Sequence, residues 1–287
     1  MIATLLSGLA LGAVYTLVGI GFNLAWLTTR AINFAQGGFV MAGAFLTVFL
    51  HSQGLPAVVI FVLLLAIGAL VSAVEYSLAI RPVQTRGEHA ELVTTVGFIT
   101  VIQGVILFFV SDDALRVPSL VPSGLIPVPG GFVSPAELLL VVVAVVVGVA
   151  AHLWAWHTRF GLAAMGVSED REAAMILGVD TTRFSYLTFM ASGALGFGVA
   201  QVVGPETFAV VSLATLISIK GFVALAIGGF GSNLGALIGG LVVGSAETLV
   251  ARAFGASWQN TAVFVIFVVL MLLRPRGLFG EAKERVV

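Results

Sequence analysis

The densest run of chemistry-bearing side chains is the polar stretch His157–Arg183, HTRFGLAAMGVSEDREAAMILGVDTTR, which lies between two long apolar runs. It holds Arg159, Glu169, Asp170, Arg171, Glu172, Asp180 and Arg183, seven of the 27 charged residues (13 Lys+Arg and 14 Asp+Glu). Ser168-Glu-Asp-Arg-Glu has the form of a capped helix start, with acids in the electropositive first turn. Ala173, Ile176 and Leu177 follow at i, i+3 and i+4, and Gly178 supplies a stop. The spacing predicts a short amphipathic helix, held off the membrane, to which a partner could dock. A charged loop that is merely solvated has the same composition.

Two further groups stand out. Asn33 and Gln36 sit beside Gly37 and Gly38 at the start of an apolar run. They read either as a broken helix near a translocation path, since unwound backbone at membrane depth must be enclosed by protein or line a cavity, or as a polar turn at the surface. Lys220 lies inside an apolar run, where a lysine costs about 2.5–3.5 kcal/mol at mid-bilayer on insertion scales. It needs a cavity, a carboxylate or helix-end carbonyls; Glu206 and Glu247 are the candidate carboxylates. A gating role and a structural ion pair both fit Lys220. Gly231, Gly235 and Gly239 at intervals of four, with Gly240 and Gly244, suit close helix packing.

Catalytic chemistry finds no footing. His51, His89, His152 and His157 are isolated, and the sequence has no His-Glu-x-x-His, no Gly-x-Ser-x-Gly and no Gly-Lys-Ser/Thr phosphate loop. No resident cofactor or metal is expected, and any ATP would be used by other chains. The absence of cysteine excludes disulfides, thiolate catalysis and cysteine metal sites.

The elements that would position these groups are membrane helices. The chain is 59% hydrophobic and 9% charged, with mean hydropathy +1.13, against about 25% charged residues in soluble domains. The net charge of −1 gives no hint of nucleic-acid binding. Windows able to cross ~30 Å of hydrocarbon fall at about 3–27, 34–50, 56–80, 91–110, 135–156, 184–204, 207–229, 234–251 and 259–273. The windows 34–50 and 207–229 are the weakest, being short or rich in glycine and polar groups. The first reads as a retained span rather than a signal peptide. A nine-span layout places Arg30, Arg81, Arg86, Arg159, Arg171, Arg183, Arg274, Arg276, Lys283 and Arg285 on one side and only Arg116 and Arg252 on the other. By the positive-inside rule the N-terminus is outside and the C-terminus cytoplasmic. Segment 157–183 is then a cytoplasmic loop and the Pro/Gly-rich 112–134 a periplasmic one. Arg274-Pro-Arg-Gly-Leu-Phe-Gly280 closes the last span with interfacial anchors. A single membrane domain fills 1–287, without a visible internal repeat.

Four segments in order resemble a known family: TRAINFAQGGFVMAGAF, SEDREAAMILGVDTTRFSYLTFMASGALGFGVAQVVGP, KGFVALAIGGFGSNLGALIGG and LLRPRGLFG. Together they look like the LivH-type permease subunits of branched-chain amino acid ABC importers, from Leu5 to Gly280. The resemblance implies an all-α membrane permease of about nine transmembrane helices with broken segments, located in the bacterial inner membrane and not an enzyme. It implies a related LivM-type permease, two ATPase subunits and a periplasmic substrate-binding protein as partners. The coupling loop of the family maps onto Glu172–Asp180. Leu177-Gly178-Val179, followed by a span and Gly204-Pro205, is also similar to vitamin B12-type importers, which implies a type II importer fold. On this reading Glu169, Asp170, Arg171, Glu172, Ala173, Ile176, Leu177 and Gly178 contact the ATPase. Asn33, Gln36, Gly37, Gly38 and Lys220 are candidates for the path. Relatives with similar permeases carry urea or short amides, so the substrate could belong to that class. A self-contained ion-coupled transporter would use Lys220 and a membrane carboxylate but leaves the docking helix unexplained. A structural scaffold would not need broken, glycine-rich spans.

Overall fold

A computed structural model describes residues 1–84, 90–110 and 113–280. Arg86, His89, Lys283 and Arg285, which entered the charge and histidine arguments, and Asp112, the first residue of the 112–134 loop, lie outside the described residues. The helices are α1 Ile2–Thr29, α2 Gln36–Ser52, α3 Ala57–Glu75, α4 Ala90–Phe109, α5 Pro135–His157, α6 Arg159–Glu169, α7 Arg171–Ile176, α8 Thr181–Thr207, α9 Leu213–Gly228, α10 Asn233–Phe254 and α11 Gln259–Leu273. Long apolar runs adopt helix because lipid offers no partner for a backbone N–H or C=O. Seven described helices are long and apolar enough to cross a membrane; α2 and α9 are shorter apolar helices. All nine windows therefore contain a helix, and the two weakest windows contain α2 and α9.

The fold is all-α, with one small addition. Segment 112–134 contains an antiparallel hairpin, β1 Ile126–Val128 and β2 Gly131–Val133, around Gly130 at φ 94°. This hairpin lies beside the start of α1, where Gly130 leaves no room for a Cβ against Met1 N. It marks one end of the bundle. The other, basic end gathers Arg30, Arg159, Arg171 and Arg183.

α1 and α8 form the centre of the bundle. α1 packs on α10 through glycines: a Cβ at Gly12 would meet Gly240 O at 2.6 Å, and one at Gly244 would meet Gly12 N at 2.1 Å. Gly235 and Gly239 turn the other way and meet Gly228 and Ala224 of α9. The glycines read as one spacing thus serve two separate contacts. Gly231 lies before α10 with φ 86°, where a Cβ would meet nothing within 4 Å, and its N–H donates to Asn23 Oδ1 at 2.8 Å. Backbone contact of this kind is what small residues provide in lipid, where burial of apolar surface drives little association.

α3 ends in a π-helical turn, Tyr76–Ile80, closed by the Arg81 N–H to Tyr76 O at 2.8 Å. Such bulges widen a helix locally and change which faces its residues present. Here Tyr76 meets the rings of Tyr186 and Phe189 at 4.5 and 5.0 Å, while Glu75 turns into the core.

Candidate functional site

The polar stretch 157–183 folds as two helices meeting at Asp170. Ser168 is not the cap expected of it: it ends α6, and its hydroxyl donates back to Met165 O at 2.9 Å. Asp170 takes that role, accepting the Ala173 N–H at 2.9 Å. The shift of two residues has a simple cause. Residues 159–169 form their own helix, capped by Thr158, whose Oγ accepts the Gly161 N–H at 3.0 Å. Ser168 is consumed by that helix, and Asp170, with φ −149°, becomes the corner.

α7 stops as expected. Gly178 has φ 86°; its N–H bonds Met175 O at 3.0 Å, and Val179 N–H bonds Ala174 O at 3.0 Å. These two bonds are those of a Schellman turn, which needs a left-handed residue best supplied by glycine. Of the apolar residues in this helix, Ala174 is buried, whereas Ile176 and Leu177 are 86% and 83% exposed. Ala173, Glu169, Asp170 and Glu172 are exposed around them, and a Cβ at Gly178 would meet nothing within 4 Å. The structure therefore gathers all eight expected contact residues at one projecting corner.

That corner is tied to the membrane helices. Arg30, the left-handed C-cap of α1, donates from Nε to Ser168 O at 2.6 Å. Arg171 donates to Thr28 O at 3.4 Å, and Thr28 in turn shares a 2.7 Å hydroxyl bond with Thr188 of α8. Phe160 stacks on Phe184 at 4.4 Å. Asp180 caps α8 through the Arg183 N–H at 3.0 Å and pairs with the Arg183 side chain at 2.9 Å.

The second group lies deep in the bundle. Gln36 donates to Ser192 O at 3.2 Å and accepts from the Ser192 hydroxyl at 2.8 Å, which also reaches Gly21 O at 2.8 Å. Ser192 is eleven residues into α8, roughly 16 Å from its start at 1.5 Å per residue. Gly21 is eight residues, about 12 Å, before the end of α1. Residues 30–35 therefore climb from the basic end back toward mid-depth without helix, and α2 begins there. The reading of this segment as a surface turn falls away, since Asn33, Ala35 and Gln36 are fully buried. Gly37 is required where its N–H bonds Ser218 Oγ at 3.1 Å, because a Cβ would meet Ala214 O at 2.3 Å. Gly38 faces Ile99 of α4.

Asn33 holds the re-entrant segment in place. Its Oδ1 accepts the Ala35 N–H at 2.9 Å, and its Nδ2 donates to Glu75 Oε2 at 2.8 Å. Ser72 adds a longer bond to the same oxygen at 3.4 Å. Glu75 went unremarked in the sequence, yet an ionisable residue inside an apolar window is itself a signal.

Lys220 pairs with Glu247, Nζ to Oε1 at 2.5 Å, and lies 5.5 Å above the Tyr15 ring. Tyr15 donates its hydroxyl to Glu247 Oε2 at 2.8 Å. Glu206, the other candidate, is bonded to Ser134 at the hairpin end. The pair joins α9, α10 and α1, away from the Gln36–Ser192 knot, so the five expected path residues split into two sites. A third polar link, also missed, runs from Asn23 to Asn233 at 2.7 Å and on to Ala151 O at 2.9 Å. Among the described residues, no three His, Cys, Asp or Glu side chains gather as a metal would require.

Residues 4–273 match the family described as the permease component of branched-chain amino acid transport systems. The high-affinity branched-chain amino acid permease protein BraD of Pseudomonas aeruginosa is 28% identical, over 96% of this chain and 95% of its own. LivH of Escherichia coli K12, a permease of the same description, is 26% identical over 96% and 94%. A probable LivH of Methanocaldococcus jannaschii is 28% identical over 92% and 88%. Among solved structures, PsaBC from Streptococcus pneumoniae overlaps 96% of this chain with a TM-score of 0.49 and 14% identity, too loose a likeness to argue from. With the family match spanning almost the whole chain, the protein belongs to the permease components of branched-chain amino acid transport systems.

Proposed function

We propose that this chain is one membrane-spanning half of an ATP-driven importer of branched-chain amino acids, with the α6–α7 corner as the socket of its ATPase. The observation that carries this is the exposure of Ile176 and Leu177 on a helix fixed at both ends. Two large aliphatic side chains held in water by a cap and a Schellman turn are a ready anchor for a groove on another protein, with Glu169, Asp170 and Glu172 at its rim. The basic end is then cytoplasmic, the N-terminus outside and the C-terminus inside, in a nine-crossing, type II importer-like arrangement of the inner membrane. The partners are a second, LivM-like permease, two ATPase subunits and a periplasmic binding protein that carries most of the substrate affinity.

The geometry supplies a mechanical route. A push on Leu177 reaches α8 directly through the Asp180 cap and reaches α1 through Arg30 and Arg171. α1 and α8 meet again at Gly21–Ser192–Gln36, where α2 starts. Packed helices move as near-rigid bodies, so closure of the ATPase pair displaces the re-entrant segment with them. The path is expected to be smooth and mostly apolar, which suits release of an aliphatic amino acid.

The test is Leu177→Asp and Gly178→Trp in the reconstituted transporter. Both are expected to abolish uptake and the stimulation of ATPase activity while the protein still inserts. Unchanged uptake would overturn the assignment, as would ion-driven uptake by this chain alone in liposomes.

A further inference from the structure

α5 and α8 both pack on α1 and leave between them a groove of about 650 Å³. Its floor is Ile20 and Leu24 of α1, its walls carry Ala150 of α5 and Ala191 of α8, and Phe160 of α6 bounds it at the basic end. Ala150 and Ala191 are exposed, so the groove opens outward. Ile20 lies nine residues, about 14 Å, before the end of α1. The groove therefore runs from the basic end to mid-depth, which is one leaflet of a hydrocarbon core about 30 Å thick.

The lining decides what can lie there. Only Thr188 and Trp154 bring a polar side-chain atom to it, and Thr188 Oγ1 is already engaged with Thr28 Oγ1 at 2.7 Å and Ser185 O at 3.1 Å. The ammonium group of an amino acid would find no free acceptor, and an unpaired charge in such a place is costly. A helix is 10–12 Å across, so a 15 Å length takes up roughly 1,200 Å³, about twice the groove. It could lie across the opening but not fill it. A single hydrocarbon chain suits both the bore and the length.

The mouth at the basic end is charged. Phe160, the second residue of α6, stacks on Phe184, the fourth of α8, at 4.4 Å, which sets the starts of the two helices side by side. Arg159 and Arg183 adjoin the two stacked rings in the chain, and both are exposed. Each lies in the first turn of its helix, where the helix dipole adds positive charge and no acid stands. Asp180 pairs with Arg183 at 2.9 Å, while Arg159 has no ion pair among the described residues. A leaflet-long apolar groove that ends at two arginines is complementary to a hydrocarbon chain with an anionic head, and basic pockets between membrane helices take such headgroups.

We propose that this groove holds one acyl chain of an anionic phospholipid, with its phosphate between Arg159 and Arg183. The lipid would brace α8 against α6 beside the α6–α7 corner: Thr28, which shares the Thr188 hydroxyl bond, also gives its carbonyl to Arg171 of α7 at 3.4 Å. Binding of the lipid does not depend on the importer reading, so the two can fail separately.

The test places the whole transporter in nanodiscs of phosphatidylcholine with a small fraction of phosphatidylglycerol that carries a diazirine midway along one acyl chain. Photolysis is expected to attach the lipid to groove residues of α1, α5 and α8 rather than to the outer face of α3 at Val62 and Leu70. Unlabelled phosphatidylglycerol should compete, and phosphatidylcholine and inorganic phosphate should not. Arg159→Gln with Arg183→Gln is expected to lower groove labelling about tenfold. Ala150→Phe with Ala191→Phe fills the bore and should do the same; the arginine variant, at exposed positions, keeps the test open if the filled chain fails to fold. Labelling spread evenly over the outer faces, or equal competition by neutral lipid, would show an ordinary lipid annulus and overturn the proposal. Competition by inorganic phosphate would show a bare anion site and overturn it too. So would protein–protein adducts from Ala191→Cys labelled with benzophenone maleimide, because another subunit would then cover the groove.

Discussion

The α6–α7 corner and the buried polar knots invert their surroundings in opposite senses. At the corner, Ile176 and Leu177 stand in water. In the bundle, Asn33, Glu75, Gln36, Ser192, Lys220 and Glu247 stand where hydrocarbon-like packing rules. The difference is in partnering. The buried groups are joined to one another across α1, α2, α3, α8, α9 and α10, whereas the exposed leucine and isoleucine are left open by a helix that caps itself at both ends. An inversion partnered within the chain holds the fold; one left unpartnered and rigid presents a surface to another protein. Substitutions inside should therefore cost stability and uptake together, and substitutions at the corner should cost uptake alone.

The largest effect is expected from Glu247→Leu. It strands Lys220 without its carboxylate and removes the acceptor of Tyr15, and breaking a buried pair from one side costs about 3–5 kcal/mol. The folded fraction recovered from membranes should fall steeply. Adding Lys220→Met to the same chain should restore most of it, because an apolar pair of similar volume removes the stranded charge. If the double variant remains as unstable as the single, or transports nothing when stable, the pair is more than a structural tie. Asn33→Leu comes next, at about 1–3 kcal/mol, since it leaves Glu75 with the long Ser72 bond and frees the Ala35 N–H. A lowered melting temperature with a parallel loss of uptake is expected. Loss of uptake at an unchanged melting temperature would move Asn33 into the transport machinery.

Much of this architecture was legible because lipid simplifies the sequence code. Long apolar windows must become helices, and each of the nine did, including the weak pair that became α2 and α9. The re-entrant course of 30–35 was only half legible. Asn33, Gln36 and the two glycines signalled a break, but its depth depends on Ser192 and Gly21, 156 and 15 residues from Gln36 along the chain. Glu75 was hidden by the apolar average of its window, and its partner Asn33 lies across a helix. α6 was missed because Gly161 and Gly166 weaken its local helix signal. Yet Gly161 is needed there, where a Cβ would meet Trp154 O at 2.2 Å. The Ser168 assignment failed for the same reason: cap residues at 168 and 170 both fit the pattern, and only the length of the preceding helix decides between them.

At the corner the effects are smaller in stability and separate the backbone from the side chains. Gly178→Ala keeps the surface free of bulk but places a Cβ at φ 86°, at a cost of about 1–2 kcal/mol. The melting temperature should hold, because α7 contributes little to the core, while stimulation of the ATPase falls by about an order of magnitude. A loss as complete as that of Gly178→Trp would mean that the turn itself, not the space beside it, is what the ATPase reads.

The smallest effect is expected from Asp170→Ala. The side chain caps a helix of six residues, and loss of such a cap costs about 1 kcal/mol, enough to let the first turn of α7 fray while Val179 and Gly178 still close its other end. Coupling should drop several-fold with no change in melting temperature. Asp170→Asn distinguishes the reasons. Asparagine caps as well as aspartate, so full recovery shows that Asp170 acts by holding Ile176 and Leu177 at a fixed angle. If Asp170→Asn is as weak as Asp170→Ala, the charge at the rim meets a basic group on the ATPase, and the corner is read electrostatically as well as by its two aliphatic side chains. Measuring both variants at low and high salt settles the choice, since an exposed charge contact fades over a Debye length of about 8 Å at physiological ionic strength and a helix cap does not.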